Sequence, residues 1–306
     1  MTNYEILKER DMLAEMGKHL TKRTKMSKYG IPYKGNKSKI AEEILTELPG
    51  GKRLVDLFGG GFAITDCALR KFPKKWERFY YNDINPLLPT LINDAIHGKY
   101  SLDNFHPEWI SRDDFHGLKE KDGYVKWIWS FGNNGNDYLY GRKNEEYKRK
   151  AFKFVVDGEE SDITEGIELK STGIHERRLE WMHKAKENKR IEPLKRIQAL
   201  ERLQSLCQLE SLSRLESLSH IDYHDYKHKD GDVVYCDIPY EDSANKDSDY
   251  GGGFNHEEFF RWANQQQYTI YYSSYTKGIA IWQKKVVSVM NSGAGAVYRT
   301  ETLFEI

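Results

Sequence analysis

The spacing of apolar positions divides the chain into two similar stretches separated by a third of different grammar. Residues 52–58 (KRLVDLF) form a short apolar run that closes on glycines, as a buried strand ending in a turn does. Residues 62–72 (FAITDCALRKF) repeat apolar positions at helical spacing. Residues 78–83 (RFYYND) read as a second strand. Asn85-Pro86 then opens a helix running to His97-Gly98, with proline at its first turn and glycine at its end. Strand, helix, strand, helix predicts a βαβ unit and a parallel sheet. The same grammar returns late, as a strand at 232–239 (DVVYCDIP), a helix at 256–266 (HEEFFRWANQQ) and a strand at 268–275 (YTIYYSSY). The tail, KKVVSVM and AVYRTETLFEI, reads as an antiparallel hairpin through Asn291-Ser292-Gly293.

Residues 101–219 hold Trp109, Trp127, Trp129 and Trp181, many Lys and Arg, and the polar loop SFGNNGNDYLYG at 130–141. A linker would lack the tryptophans, so these residues are expected to form an inserted, mainly helical domain. The expected organisation is one unit built from 1–100 and 220–306, with an insert at 101–219 that ends in a leucine-rich, low-complexity stretch, 194–219. Leucines there fall at 200, 203, 206, 209, 212, 215 and 218. A helix advances about 300° over three residues, so this row drifts about 60° per step and makes no single stripe. A coiled-coil seam does not fit either. A helix buried on several sides, a helix wrapping a surface and a solenoid-like face all remain open. Its low complexity marks the stretch as a length-variable insert, and no chemistry is assigned to it.

Composition narrows the class. The chain has 306 residues, 39% hydrophobic and 31% charged, which is enough for a core and excludes wholesale disorder. No apolar run approaches the ~18 residues of a membrane span, and the opening MTNYEILKERDML lacks the apolar segment of a secretory signal. The three cysteines, Cys67, Cys207 and Cys236, are far apart, so neither a disulfide framework nor a cysteine-based metal site is expected. A cytoplasmic monomer with no metal and no membrane contact is the expectation.

Charge changes the picture most. Lys plus Arg and Asp plus Glu are 47 each, a balance that argues against a broadly basic nucleic-acid binder. The balance is uneven along the chain: residues 18–39 carry eight Lys or Arg and no acid, whereas 230–249 carry seven Asp or Glu and one Lys. A basic run serves a solvated arm or phosphate contact alike. An acidic cluster at a strand end suits a cation, a hydroxyl or an amine.

Three constellations can carry chemistry. Asp56-Leu57-Phe58-Gly59-Gly60-Gly61 ends the first strand, where glycines let a ligand approach the backbone. The pattern is neither a dinucleotide fingerprint nor a phosphate loop, and a plain strand-to-helix turn explains it equally. Asp83 ends the second strand, 24 residues after Gly59. A carboxylate there can hold ribose hydroxyls or cap the helix that follows. Asp237-Ile238-Pro239-Tyr240 closes the late apolar strand with a carboxylate, a restrained backbone and an aromatic face. That set suits an exocyclic amine beside a planar ring: the Asp237 carboxylate and the Ile238 carbonyl accept two N–H groups, and Tyr240 stacks.

Taken in order, YKGNK (33–37), DLFGGG (56–61), the insert and DIPY (237–240) resemble the Dam-like, D12-class DNA adenine-N6 methyltransferases. Asp222-Tyr223, the stretch 254–260 and the YYSSY strand are similar to further elements of that family, and SFGNNGNDYLYG to a loop of its phage-type members. The resemblance implies a Rossmann-like methyltransferase sheet of α/β class, S-adenosylmethionine as methyl donor and double-stranded DNA as substrate. It implies cofactor contacts at Tyr33, Lys37, Asp56, Phe58, Gly59, Gly61, Asp83, Ile84, Asp222, Tyr223 and Asp237, with Lys37 at the methionine carboxylate and Asp83 at the ribose. It makes Asp237, Ile238, Pro239 and Tyr240 the catalytic set, acting on an adenine turned out of the duplex. Lys22, Arg23, Lys25 and Lys28 are the expected phosphate contacts. Asn133, Asn134, Asn136 and Tyr138 are the expected base readers, with a polar turn packed by its own tyrosines as the other reading. No endonuclease partner is required.

Two positions depart from the family pattern. Ile238 stands where proline is usual, but the needed group is a backbone carbonyl. Asn36 stands where a second glycine is usual, and asparagine tolerates a left-handed backbone better than most residues. Other amino methyltransferases (of cytosine N4, RNA adenine or protein glutamine), a catalytically idle DNA-binding relative and a nicotinamide-dependent oxidoreductase are the rival readings.

Overall fold

The computed structural model describes residues 28–101, 105–187, 195–209, 211–239, 253–274, 279–291 and 294–306. Helix α1 (Ala41–Glu47) precedes strand β1 (Gly51–Asp56), helix α2 (Ala63–Lys71), strand β2 (Trp76–Asn82) and helix α3 (Leu87–Ile96). Helices α4 (Arg112–Leu118), α5 (Arg142–Asp157), α6 (Ile174–Glu187) and α7 (Lys195–Leu206) follow, with a π-turn at Tyr124–Ile128 between the first two. The chain then re-enters the sheet with β3 (Leu215–Ser219) and β4 (Asp232–Cys236), crosses through α8 (His256–Asn264) to β5 (Ile270–Ser274), and closes with β6 (Ile279–Asn291) and β7 (Ala294–Glu305).

The seven strands form one sheet in the order β3-β2-β1-β4-β5-β7-β6. Strands β1 to β5 pair parallel and β7 antiparallel to β5. The β6–β7 pair is the predicted hairpin; its turn residues Ser292 and Gly293 lie outside the described residues. The mixed sheet with helices on its faces is the α/β, Rossmann-like architecture expected from the sequence. Residues alternate between two cores, as the pleat requires. Leu54, Val233 and Tyr235 face a large cluster under α1, α2, α3 and the 112–206 helices. Val55, Val234 and Cys236 face a smaller one under α8. Apolar on both faces, β4 reads as a hydrophobic run after its first residue, and β1 narrows to Leu54 and Val55 between Arg53 and Asp56.

Chain direction across the sheet reverses between β1 and β4: β2 and β3 lie on one side, β5 on the other. In open parallel sheets the crevice beyond the strand ends at such a switch point is where ligands bind. Asp56 and Asp237 stand at those two adjacent ends, with Leu57 N–H bonded to Tyr235 O at 2.9 Å.

The leucine-rich stretch is not one element. Leu200, Leu203 and Leu206 are buried in α7, and Leu209 is buried just after it. Beyond a 3-10 turn at Leu212–Arg214, Leu215 and Leu218 lie in β3. Their shared burial has a local cause. The β2–β3 register runs Phe79↔Leu215 and then Tyr80↔Ser217, skipping Glu216, so a bulge cancels the usual face change and both leucines pack on the same cluster. The sheet therefore resumes at Leu215 rather than after residue 219, which corrects the expected boundary.

Candidate active site

The glycine turn after β1 is held by the end of β2. Gly59 N–H donates to Asn82 O at 2.7 Å, Gly60 N–H to Asp83 Oδ2 at 2.9 Å, and Tyr81 OH to Gly60 O at 2.6 Å. A side chain at Gly59 would meet the Tyr81 ring at 2.1 Å, so only glycine allows this approach. The turn is wound tightly enough that Phe62, ahead of α2, takes φ 67, a conformation uncommon for a bulky side chain. Asp83 spends its other oxygen on Asn85 N–H at 2.9 Å, and Asn85 Oδ1 in turn accepts Leu87 N–H. Asp83 thus links the glycine turn to the chain that leads into α3, a helix that begins after Pro86, which offers no side-chain cap.

Asp56 is the most unusual group. It is fully buried; Thr65 OH donates to its Oδ2 at 2.8 Å, while Oδ1 has no hydrogen-bond partner among the described residues. Burial pushes its carboxyl up to about 7, with the Asp237 and Asp83 charges adding to the shift and the Thr65 hydrogen bond opposing it. An unsatisfied buried acceptor is costly unless a ligand supplies the donor.

Facing it is the arm 29–38. Tyr33, Asn36 and Lys37 join Asp56, Phe58, Gly59, Gly60, Gly61 and Asp237 around one open cleft of about 270 Å³. Lys37 is buried and pairs with Asp237 at 2.7 Å. The arm's left-handed residues are Gly30 and Gly35, at φ 69 and 85, and not Asn36. Asn36 acts through its side chain instead. Its Nδ2 donates to Ile31 O at 2.8 Å and its Oδ1 accepts Ser38 N–H at 2.6 Å, closing the arm into a loop.

Phe58, which lines the cleft, packs against further aromatic rings. Phe58 lies 5.4 Å from Tyr223, 5.6 Å from Phe254 and 5.8 Å from Phe259, measured between centroids. Asp222 is partly exposed and caps its own turn by accepting His224 N–H at 2.9 Å. Ile84, next to Asp83, is 45% exposed, an apolar side chain left in the open. Ile238 is buried, and Pro239 O is bonded to His256 Nε2 at 2.6 Å. Tyr240, and Lys22, Arg23 and Lys25 of the basic run, lie outside the described residues; Lys28 pairs with Glu42.

The loop 130–141 stands next to the arm. Lys34 N–H donates to Asn133 O at 3.1 Å, and the Tyr33 and Trp127 rings meet edge-on at 4.9 Å. Its polar side chains are largely spent on its own shape. Asn133 Nδ2 donates to Trp127 O, Asn134 Nδ2 donates to Asp137 while its Oδ1 accepts the Asn136 and Asp137 N–H groups, and Tyr138 OH donates to Ile110 O. Of the expected base readers, Asn133, Asn134 and Tyr138 therefore follow the packed-turn alternative. Asn136 O accepts from Lys119. What the loop offers outward is Phe131, 64% exposed at its tip. Pattern reading passed over Phe131, and the one available signal was Gly132 behind a large aromatic, a turn that lifts a ring off the surface.

The donor set fits a zwitterionic amino acid joined to a nucleoside. Asp56 offers an acceptor lacking a donor, Lys37 a cation, the glycine turn a backbone open to contact, and Phe58 with Tyr223 an apolar wall. No curated protein matches the chain. Two solved structures of the rRNA methyltransferase aviRa from Streptomyces viridochromogenes, at 1.5 Å and 2.4 Å, are similar to it at 14% and 15% identity; each alignment covers 88% of this chain and 82% of that chain with a TM-score of 0.35. A family model described as D12 class N6 adenine-specific DNA methyltransferase matches residues 33–155, which include the arm, the glycine turn, Asp83 and the loop 130–141. Asp222-Tyr223 and Asp237 to Tyr240 lie beyond the matched residues, and the sheet brings Asp237 to the matched cleft. Over residues 33–155 the chain is similar to the D12 class of N6 adenine-specific DNA methyltransferases.

Proposed function

We propose that the chain transfers a methyl group from S-adenosylmethionine to N6 of an adenine turned out of double-stranded DNA. The observation that carries this reading is the convergence of Asp56, Lys37 and Asp237 on one cleft at the β1/β4 switch point. S-adenosylmethionine supplies, when bound, a methyl group already activated by the sulfonium. Asp56 would take the ammonium of its methionine end and Lys37 the carboxylate. Phe58 and Tyr223 would line the adenine, with Ile84 beside it, and Asp83 would take the ribose. The N6 lone pair is delocalised into the ring. The protein's task is to hold that nitrogen in place and to stabilise the positive charge that grows on it. Asp237 and the Ile238 carbonyl would accept the two amino protons, and Tyr240 would stack on the base. Both assigned roles require the Lys37–Asp237 pair to open, Lys37 toward the cofactor and Asp237 toward the amine. Methylating a duplex with the purified protein, digesting it to nucleosides and identifying the product by mass tests the reading. N6-methyl-2′-deoxyadenosine is expected; N4-methyl-2′-deoxycytidine, or no methylated nucleoside, overturns it.

Asp83→Ala is expected to weaken cofactor binding about tenfold or more, since the carboxylate holds the Gly60 N–H and stands where the ribose is placed. Calorimetry with S-adenosylhomocysteine reads this directly, and an unchanged dissociation constant rejects the role. Phe131 is assigned to stacking on a base at the point of flipping. Base–aromatic stacking is worth about 1–3 kcal/mol, so Phe131→Ala is expected to weaken duplex binding about tenfold without changing cofactor affinity. A fluorescence-anisotropy titration giving equal affinities removes Phe131 from the interface.

A further inference from the structure

The leucine-rich helix α7 reaches the cofactor arm through one side chain. Arg202, in the middle of α7, is mostly buried, and burial lowers its guanidinium from the usual value. Its Nη2 donates to Gly30 O at 3.1 Å and its Nε to the same oxygen at 3.3 Å, while Nη2 also lies 3.4 Å from Asp66 Oδ2. Asp66 in α2 is fully buried and accepts the Gly30 N–H at 2.7 Å. Both polar groups of one glycine are therefore held, N–H by Asp66 and C=O by Arg202, and the two holders pair with each other.

Gly30 is the point of closest approach between the arm and the glycine turn. It has φ 69, and a Cβ placed on it would lie 2.1 Å from Gly61 O and 2.7 Å from Ala63 N. The next residue donates its N–H to Gly61 O at 2.8 Å. Downstream the arm carries Tyr33, Asn36 and Lys37, and Gly61 is on the opposite lip of the same cleft. A shift of the Gly30 peptide changes the distance between those lips. A buried guanidinium with two donors on one carbonyl is a costly way merely to attach a helix, because the cation is desolvated for it.

We infer that Arg202, clamping Gly30 together with Asp66, is a positioning residue that sets the width of the cofactor cleft, so that the leucine-rich helix is the back wall of the cofactor arm and not a spacer. The inference rests on the proposed cofactor site. Arg70 supplies the control: it also joins α2 to α7, through Ser205 O at 2.8 Å, and pairs with Asp66 at 2.6 Å, but does not touch Gly30.

The test is titration of the full-length protein with S-adenosylhomocysteine by calorimetry, alongside thermal melting. Losing two charge-assisted hydrogen bonds to one carbonyl is expected to weaken binding about tenfold in Arg202→Ala. Arg202→Lys, which keeps the charge near Asp66 but loses the fork, is expected to fall between, and millimolar ethylguanidinium to recover most of the loss in Arg202→Ala. Arg70→Ala is expected to lower the melting temperature while leaving cofactor affinity near that of the parent. In turnover assays the loss in Arg202→Lys is expected in KM for the cofactor, with kcat kept. Equal affinity in the parent and both Arg202 variants, or an equal loss in Arg70→Ala, overturns the inference. A parent protein that does not bind S-adenosylhomocysteine overturns instead the cofactor assignment on which it rests.

Discussion

Replacing Asp237 by alanine is expected to cut methyl transfer by about a thousandfold or more while cofactor binding stays within about threefold of the parent. A pre-organised hydrogen-bond partner aimed at developing charge is worth about 10²–10³ in kcat, and Asp237 is also assigned the placement of the amine. Its position supports the separation of the two effects. Asp237 lies at the end of β4 beside the cleft and pairs with Lys37 at 2.7 Å. Removing the carboxylate leaves Lys37 available to a cofactor carboxylate, so binding of S-adenosylhomocysteine persists. Asp237→Asn keeps an acceptor of the same shape but no charge, and is expected to retain a small residual rate. Single-turnover assays with radiolabelled methyl donor, paired with calorimetry, separate the steps. Full activity in Asp237→Ala would sink the catalytic assignment.

The second large effect belongs to Asp56. Its carboxyl, pushed by burial from 3.8 to about 7, is partly protonated at neutral pH in the free protein. A ligand ammonium favours the ionised form, so cofactor affinity is expected to rise from pH 6 to about 7.5. It should fall again as the ligand amine loses its own proton near ~8. The same shift has the opposite sign for stability. The folded state holds the proton more tightly than the unfolded chain, so its contribution is fully present below 3.8 and is lost as pH rises through about 7. Asp56→Asn removes that penalty. The variant is expected to melt higher than the parent by a margin that widens between pH 5 and pH 8, and to bind S-adenosylhomocysteine at least tenfold more weakly with no rise in affinity across pH 6 to 7.5. Melting curves and titrations at several pH values check both halves. Unaltered binding in Asp56→Asn rejects the ammonium role, and a margin that does not widen with pH rejects the buried-ion account. Stability given up at a ligand site is a familiar exchange.

Much of the sheet was legible because its strands are short, apolar and closed by turn residues. The runs 52–58, 78–83, 232–239 and 268–275 each contain a strand of the sheet. The helices between them announce themselves by apolar spacing; in the fold the Asn255 side chain caps α8 by accepting Glu258 N–H at 3.1 Å. The tail hairpin was legible from Asn291-Ser292-Gly293 between two β-branched runs. β3 was not, because its leucines belong to a period-three row that runs through a helix, a turn and a strand. A repeat of period three fits no single secondary structure, and only the bulge at Glu216 explains how two of its members share a face. The loop 130–141 failed in a different way. Asparagines suited to base edges are equally suited to turns, and here Asn133 and Asn134 hold the turn.

Residue types and their order along the chain determined the class of sheet, the glycine turn and the carboxylates that end three strands. They do so because strand ends, turns and helix starts are local matters of backbone freedom and apolar spacing. Tertiary structure alone decided which of those groups meet. The β1/β4 switch point brings Asp56 and Asp237 together from residues far apart in sequence, and desolvation there, invisible in a string of letters, raises the Asp56 carboxyl toward neutrality. The fold likewise sets Lys37 on Asp237 and Arg202 on Gly30.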